Sequence, residues 1–329
     1  MSFRKLPAAA AAMIALSVLA AAAPGHAATA HPVSSASCGA ACLQTFVDRY
    51  LEALAARDPS RLPVAAHVKF TENTRPLQLG DGLWGTITKV GPYRHLFTDP
   101  ATGEVALFGN IEEQGTPALF VLRLKIEARK ITEVETIVVR KQDMGSFLNT
   151  DRTLKPIWDE VTPPARRLSR AELVRTANLY FEALEKSDGS VAPFDDDCVR
   201  VENGVQTVNN KAAAGQASDV AKGFNPGAMT CREQINTRLF SYISRIHPRR
   251  YVVVDEPHQS VLAMVMFHHS GRITEVDVPG HGKQKMVAAA LRPFDVVIGE
   301  AFRIKDHKLR EVEAVMTSLP YGSDTGWDK

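Results

Sequence analysis

The chain contains one stretch of sequence twice, which limits its folds to those in which a single domain-sized unit can be built two times over. Tyr50–Asp58 recurs as Tyr180–Asp188, an offset of 130 residues, and Glu72 and Asn73 fall on Glu202 and Asn203 at the same offset. Arg94–Asp99 then matches Arg250–Asp255, and Val105–Glu113 matches Val261–His269, at an offset of 156 that implies 26 additional residues in the second copy. Ile126–Ile137 matches Ile304–Val315 at 178, a further 22 residues. Segments matching in unbroken order exceed what the chance likeness of two amphipathic helices explains. The expected boundaries are 38–149 for the first unit, 150–169 for a Pro-rich linker and 170–321 for the second. The additions in the second unit fall near 211–249 and 272–293.

Within each copy the element order is readable. Leu43, Phe46, Val47, Tyr50, Leu51 and Leu54 recur at helical spacing, as do Leu173, Val174, Ala177, Tyr180, Phe181 and Leu184, so each unit opens with a long amphipathic helix. Ser169 followed by Glu172 forms a capping box at the start of the second helix. Short β-rich runs follow. In the first copy they cover 68–72, a hairpin over 96–108, 118–126 and 130–139; in the second, 199–202, 251–255 with 261–267, 295–304 and 309–316. A helix followed by strands joined through short turns predicts an α+β layer with a curved antiparallel sheet.

The first residues read as a leader for export. Arg4 and Lys5 precede an apolar run from Ala8 to Ala23, and Pro24 to Ala27 end it with small residues. Cleavage is expected after Ala27, giving a 1–27 signal peptide, with Ala30 as the alternative site. The run is shorter and less apolar than the ~20 residues that cross a bilayer. The destination is then periplasmic or secreted. Losing Arg4 and Lys5 leaves 37 basic residues against 37 acidic ones. That balance supplies neither the basic stripe of a nucleic-acid binder nor a polybasic membrane patch. Cys38, Cys42, Cys198 and Cys231 make an even count for an oxidising compartment, and pairing within units, Cys38 with Cys42 and Cys198 with Cys231, is favoured among the three connectivities. The spacing of Cys38 and Cys42 is not C-x-x-C and no His lies near it, so a metal or redox site is not expected there.

The residues Tyr50–Asp58, Glu72 with Asn73, and Ile126–Ile137, together with their second-copy counterparts, give the chain a resemblance to the nuclear-transport-factor-2-like or SnoaL-like superfamily. The segments 229–234, 249–255 and 319–322 are similar to an exported tandem group within it. The resemblance implies two NTF2-like cones, each with its helix packed on a curved sheet around an apolar pocket. It further implies proton transfer, without a cofactor, on a small apolar or aromatic molecule by polar side chains reaching inward. Units of this kind pair through their sheets, so a homodimer or internal pairing of the two halves is implied as well.

Candidate site residues follow from that expectation. A carboxylate becomes a base near neutral pH when burial raises its pKa, and a neighbouring His or Asn can stabilise a developing oxyanion. Glu202, Asn203, His268 and His269 are the catalytic candidates. Glu72, Asn73, Trp84, Arg245, His247 and Arg250 are expected to line or bind at the pockets. Adjacent strand residues face opposite ways, so at most one of His268 and His269 can enter a cavity. The bland alternatives are a strand end for each Glu-Asn pair, a turn for the His pair, and a salt-bridged loop for Arg245 to Arg250. The histidines lack any metal-ligand spacing, and no nucleophile elbow, P-loop or dinucleotide fingerprint is present. The expected function is a lyase, isomerase or dehydratase using general acid-base chemistry, with a non-catalytic small-molecule carrier as the alternative.

Overall fold

A computed structural model describes residues 38–144, 147–211, 224–286 and 288–327. The expected leader lies outside the described residues, as do residues 212–223 of the first insertion and 287 of the second. The first half runs α1 (Ala40–Ala55), β1 (Val64–Glu72), β2 (Arg75–Pro76), a one-turn α2 (Leu83–Thr86), β3 (Ile87–Asp99), β4 (Glu104–Glu113), β5 (Thr116–Glu127), β6 (Lys130–Val139) and a one-turn α3 (Lys141–Met144). The second half runs α4 (Arg170–Lys186), β7 (Phe194–Glu202), β8 (Val205–Gln206), α5 (Cys231–Asn236), β9 (Arg245–Asp255), β10 (Ser260–His269), β11 (Glu275–Val278), β12 (Gly282–Lys285), β13 (Phe294–Lys305) and β14 (Lys308–Leu319).

The molecule is α+β, with two six-stranded sheets of identical topology, β2-β1-β6-β5-β4-β3 and β8-β7-β14-β13-β10-β9. Each sheet is mixed rather than purely antiparallel, because its first long strand pairs parallel with its last, β1 with β6 and β7 with β14. The first long strand and the last lie side by side although the rest of the sheet separates them in sequence. The chain therefore closes the sheet by laying its last strand beside its first instead of turning back in a hairpin.

Strand alternation gives each sheet two buried faces. Val261, Ala263, Val265 and Phe267 of β10 pack beneath α4 with Leu173, Ala177 and Phe181. Their neighbours Leu262, Met264 and Met266 belong instead to a core shared with Ala106, Phe108 and Val121 of the first sheet. The halves thus meet sheet to sheet inside one chain. Their contact is reciprocal: Thr98 N–H donates to Asp255 Oδ2 and Val254 N–H donates to Asp99 Oδ2, both at 3.1 Å. Such exchange of equivalent partners is what a two-fold relation between units produces. Gly299 sits at this contact, where an added Cβ would come within 2.9 Å of Val121 and 3.2 Å of Phe108.

Two disulfides, Cys38–Cys42 and Cys198–Cys231, each stay within one half. The linker runs along the second half. Trp158 and Lys155 donate to the Glu311 carboxylate, and Arg303 donates to the carbonyls of Ile157 and Glu160. The described parts of the insertions, α5, the turn over Leu239–Tyr242 and the β11–β12 hairpin, carry a small apolar cluster of their own around Phe224, Val276, Val278 and Met286. No described helix is long and apolar enough to cross a membrane.

Candidate functional site in the second half

The helix-side interior of the second half holds a group of polar side chains among apolar ones. Cys198, Arg200 and Glu202 alternate along β7, so all three face α4, and the disulfide from Cys198 brings α5 over the same end of the sheet. On β13, Ile298, Glu300 and Phe302 face the same way. The backbone register places Glu202 opposite Ala314, Ala314 opposite Glu300, and Glu300 opposite Ala263. Glu202 and Glu300 therefore share one row of the sheet, two strands apart, with roughly 9–10 Å between their Cα atoms. Alanines flank Glu300 on both sides.

Arg200 ties the group together. Its Nε donates to the Tyr180 hydroxyl at 3.0 Å, one terminal nitrogen donates to Gln234 Oε1 of α5, and the other pairs with the Glu202 carboxylate. The ring of Phe240 lies 4.9 Å from the guanidinium carbon. Gln234 is held in turn by the Thr207 and Pro226 carbonyls, to which its Nε2 donates. Arg200, Tyr180 and Glu300 are almost wholly shielded from solvent, at 3%, 1% and 3% exposure, whereas the Glu202 side chain keeps 19%.

The electrostatics single out Glu300. Burial pushes Glu300 up to about 8, and Glu202 adds to that, while Arg200 and the Tyr180 hydroxyl pull it back only in part. Glu300 is thus largely a neutral acid at pH 7, and its Oε2 has no protein partner among the described residues. Burial alone would lower Arg200, but the pairing with Glu202, first among the opposing causes, outweighs it and holds the guanidinium charged. The Tyr180 hydroxyl, which accepts from Arg200, is pushed well up by burial and keeps its proton. An ion-paired carboxylate and a protonated carboxylic acid thereby sit in one row, the arrangement that divides base and acid roles between two like groups.

His269 extends the group. It lies on the helix side of β10, stacked between Phe294 at 4.1 Å and Tyr242 at 5.0 Å. Burial lowers it to about 4, so it is neutral, and its Nδ1 has no partner among the described residues. Burial with the nearby Glu202 pushes Tyr242 up to about 12. Tyr242 thus links His269 to the Arg200–Glu202 pair.

The other residues singled out in the sequence lie elsewhere. His268 points to the opposite face of β10, where its Nδ1 meets Asp295 at 2.8 Å, its Nε2 meets the His247 carbonyl at 2.8 Å, and Arg245 lies 3.3 Å away. Asp295 accepts further from the amides of Gly322 and Ser323. The His247 side chain is exposed, and Arg250 pairs with Glu135 across the contact between the sheets. Asn203 uses its whole side-chain amide on the backbone of Met316, donating to the carbonyl at 3.0 Å and accepting from N–H at 2.8 Å. Asn73 does the same with Val138 at 3.1 and 2.8 Å. Glu72 accepts from the Leu83 amide and from Arg140, and Trp84 fills the interior of the first half against Tyr50.

Sequence reasoning reached Glu202 and His269 but missed Arg200, Gln234, Tyr242 and Glu300, and took Tyr180 only as a repeat marker on an apolar stripe. The duplication itself held the signal. At the offsets of 130 and 178, Arg200 and Glu300 fall on Phe70 and Leu122, so charge stands where the sister copy is apolar.

Residues 166–316 match a family described as a domain of unknown function (DUF8021). No curated protein matches the chain. Among solved structures, that of AusH from Aspergillus nidulans is similar at 13% identity, covering 49% of this chain and 92% of its own, with a TM-score of 0.27.

Proposed function

We propose that the second half is a cofactor-independent lyase, isomerase or dehydratase of SnoaL-like type, acting by general acid-base chemistry on a small apolar molecule that carries a carbonyl group. The observation that supports this most is Glu300. A neutral buried acid with an unpartnered oxygen, beside a Tyr hydroxyl and a charged guanidinium, stands at a position that the same scaffold fills with Leu122 in the other half. The first half shows that stability does not require the group, and buried polar clusters contribute little or negatively to stability. A perturbed acid in such surroundings is the mark of a site.

In this reading Glu202, whose side chain keeps 19% exposure, accepts the proton lost from carbon. Glu300 and Tyr180 donate hydrogen bonds to the oxygen on which charge develops. Arg200 orients Tyr180 and pairs with Glu202. Phe240 and Gln234 pack against Arg200, and Tyr242 lies near Glu202. The two disulfides fit an oxidising compartment, and with the leader they support a periplasmic or secreted setting.

The test needs no prior substrate. The mature protein is incubated in D2O with a panel of small cyclic ketones and β-hydroxy carbonyl compounds, and exchange of the protons next to the carbonyl is followed by NMR. Exchange above background for at least one compound, lost on Tyr180→Phe and on Glu300→Gln, is the expected result. Saturable binding without exchange supports the carrier reading instead, and exchange that survives both substitutions overturns the assignment.

A further inference from the structure

A cavity of about 300 Å3 opens at the seam between the halves, away from the Arg200–Glu300 cluster. Among the residues lining it are His95 and Phe97 of β3, Arg94 beside them, Trp158 of the linker, and His258 and Ser260 of the second half. Three aromatic rings form one wall. His95 lies 4.1 Å from Phe97 and 4.3 Å from Trp158, centroid to centroid.

The His95 ring is fixed from behind. Its Nδ1 lies 2.8 Å from Glu313 Oε2, and the other oxygen of Glu313 accepts from the Tyr93 hydroxyl at 2.6 Å and from Arg152 at 3.2 Å. Burial alone would raise Glu313, but His95, Arg152 and Tyr93 outweigh it and hold the carboxyl below its usual range. An ionised Glu313 can only accept, so the proton on the near nitrogen belongs to His95. The far nitrogen, Nε2, is then an acceptor when the ring is neutral, and among the described residues the ring's hydrogen bond to protein is made through Nδ1. A carboxylate that fixes the tautomer of a histidine and leaves its other nitrogen free is a recurring way to present a base. At the rim stand Arg94, paired with Asp48, and His258, whose hydrogen bond to Asp255 raises its pKa.

We propose that this seam is a binding site for a small aromatic hydroxy acid. Its ring lies against Phe97 and Trp158, its hydroxyl donates to His95 Nε2, and its carboxylate faces Arg94 and His258. The volume stands at the low end of ligand pockets, which suits one ring with two substituents. Because both halves and the linker supply walls, an occupied site would also hold the two halves together.

Isothermal titration of the mature protein with 4-hydroxybenzoate, 4-methoxybenzoate and phenol tests the proposal. Saturable binding of 4-hydroxybenzoate is expected, with a Kd below about 1 mM and each of the other two at least about tenfold weaker. Leu154 also lines the cavity, from the linker, and Leu154→Trp fills it while leaving the His95–Glu313 pair in place, so it is expected to weaken 4-hydroxybenzoate by about tenfold or more with the melting temperature unchanged. His95→Gln removes the acceptor and is expected to erase the preference for hydroxyl over methoxy. No saturable binding by the wild-type protein, equal affinity for the hydroxy and methoxy acids, or wild-type affinity in Leu154→Trp overturns the assignment. None of these outcomes bears on proton exchange at Glu300.

Discussion

The two halves place the same residues of the same sheet under the same helix and fill the space differently. In the first half, one row across the sheet reads Glu72, Thr136, Leu122, Leu107, and Tyr50 and Trp84 close over it. In the second, the row reads Glu202, Ala314, Glu300, Ala263, and Tyr180 faces Arg200 where the first half has Phe70. Leu107 has become Ala263 while Leu122 has become Glu300, so volume is removed beside the position where charge is added. Even the shared glutamate differs in use: Glu72 is spent on the Leu83 amide and Arg140, and Glu202 on Arg200. The lesson is that the fold tolerates an apolar interior, and the second half departs from it at several mutually supporting positions.

Moving the charge to the wrong half is the harshest challenge to that comparison. Leu122→Glu places a carboxyl in a fully buried site where Phe70 stands in place of Arg200, and a loss of about 3–5 kcal/mol is expected from urea denaturation. The mirror change, Glu300→Leu, leaves Arg200 with Glu202 and is expected to change stability by less than about 1 kcal/mol or to raise it. Equal losses for the two would mean that the halves are not different environments.

The pH dependence sharpens the same contrast with a smaller effect. In the folded protein Glu300 holds its proton to about pH 8, whereas the unfolded chain releases it near the ordinary 4.5. Its contribution is therefore complete below that lower value and is lost as pH rises toward 8, by a few kcal/mol in order of magnitude. His269 works from the other side: it is held to about 4 in the fold against 6.5 unfolded, so its contribution is complete above 6.5 and falls as pH drops toward 4. Urea midpoints of the wild-type protein are expected to decline from pH 7 to pH 8.5, and those of Glu300→Gln to stay flat over that range. A wild-type curve as flat as the variant's would show that Glu300 is ionised in the fold.

How much of this was legible depended on whether a signal was periodic or spatial. The two long helices α1 and α4 and the main strand runs are periodic and were readable from residue spacing, whereas α2, α3, α5 and the short strands β2, β8, β11 and β12 were not. The parallel pairing of β1 with β6 was not, because it joins segments separated by the entire sheet and leaves no turn to read. The cluster was half legible. Glu202 and His269 carry chemistry in their side chains, but Arg200 and Glu300 sit on β-rich runs where a charge ordinarily marks the solvent face. Only burial on both faces of the sheet turns them inward. Gln234 and Tyr242 come from an insertion with no counterpart in the first half, so no comparison within the chain could single them out.

The pair Asn73 and Asn203 supplies the mildest and most symmetric test. Both adopt positive φ, 46° and 45°, at the end of the first long strand of their sheet, and both turn the side-chain amide into one more rung of pairing with the last strand. Asparagine suits the place because it accepts this backbone conformation and offers a donor and an acceptor in the spacing of a peptide group. Removing either amide leaves a buried N–H and C=O of β6 or β14 without partners, so Asn73→Ala and Asn203→Ala are each expected to cost about 1–2 kcal/mol. Equal losses, read from urea midpoints at one pH, with proton exchange unchanged, assign both residues to the scaffold. If Asn203→Ala also abolished exchange while Asn73→Ala did not, the division between scaffold and chemistry would have to be moved one residue along β7, to include Asn203 beside Glu202.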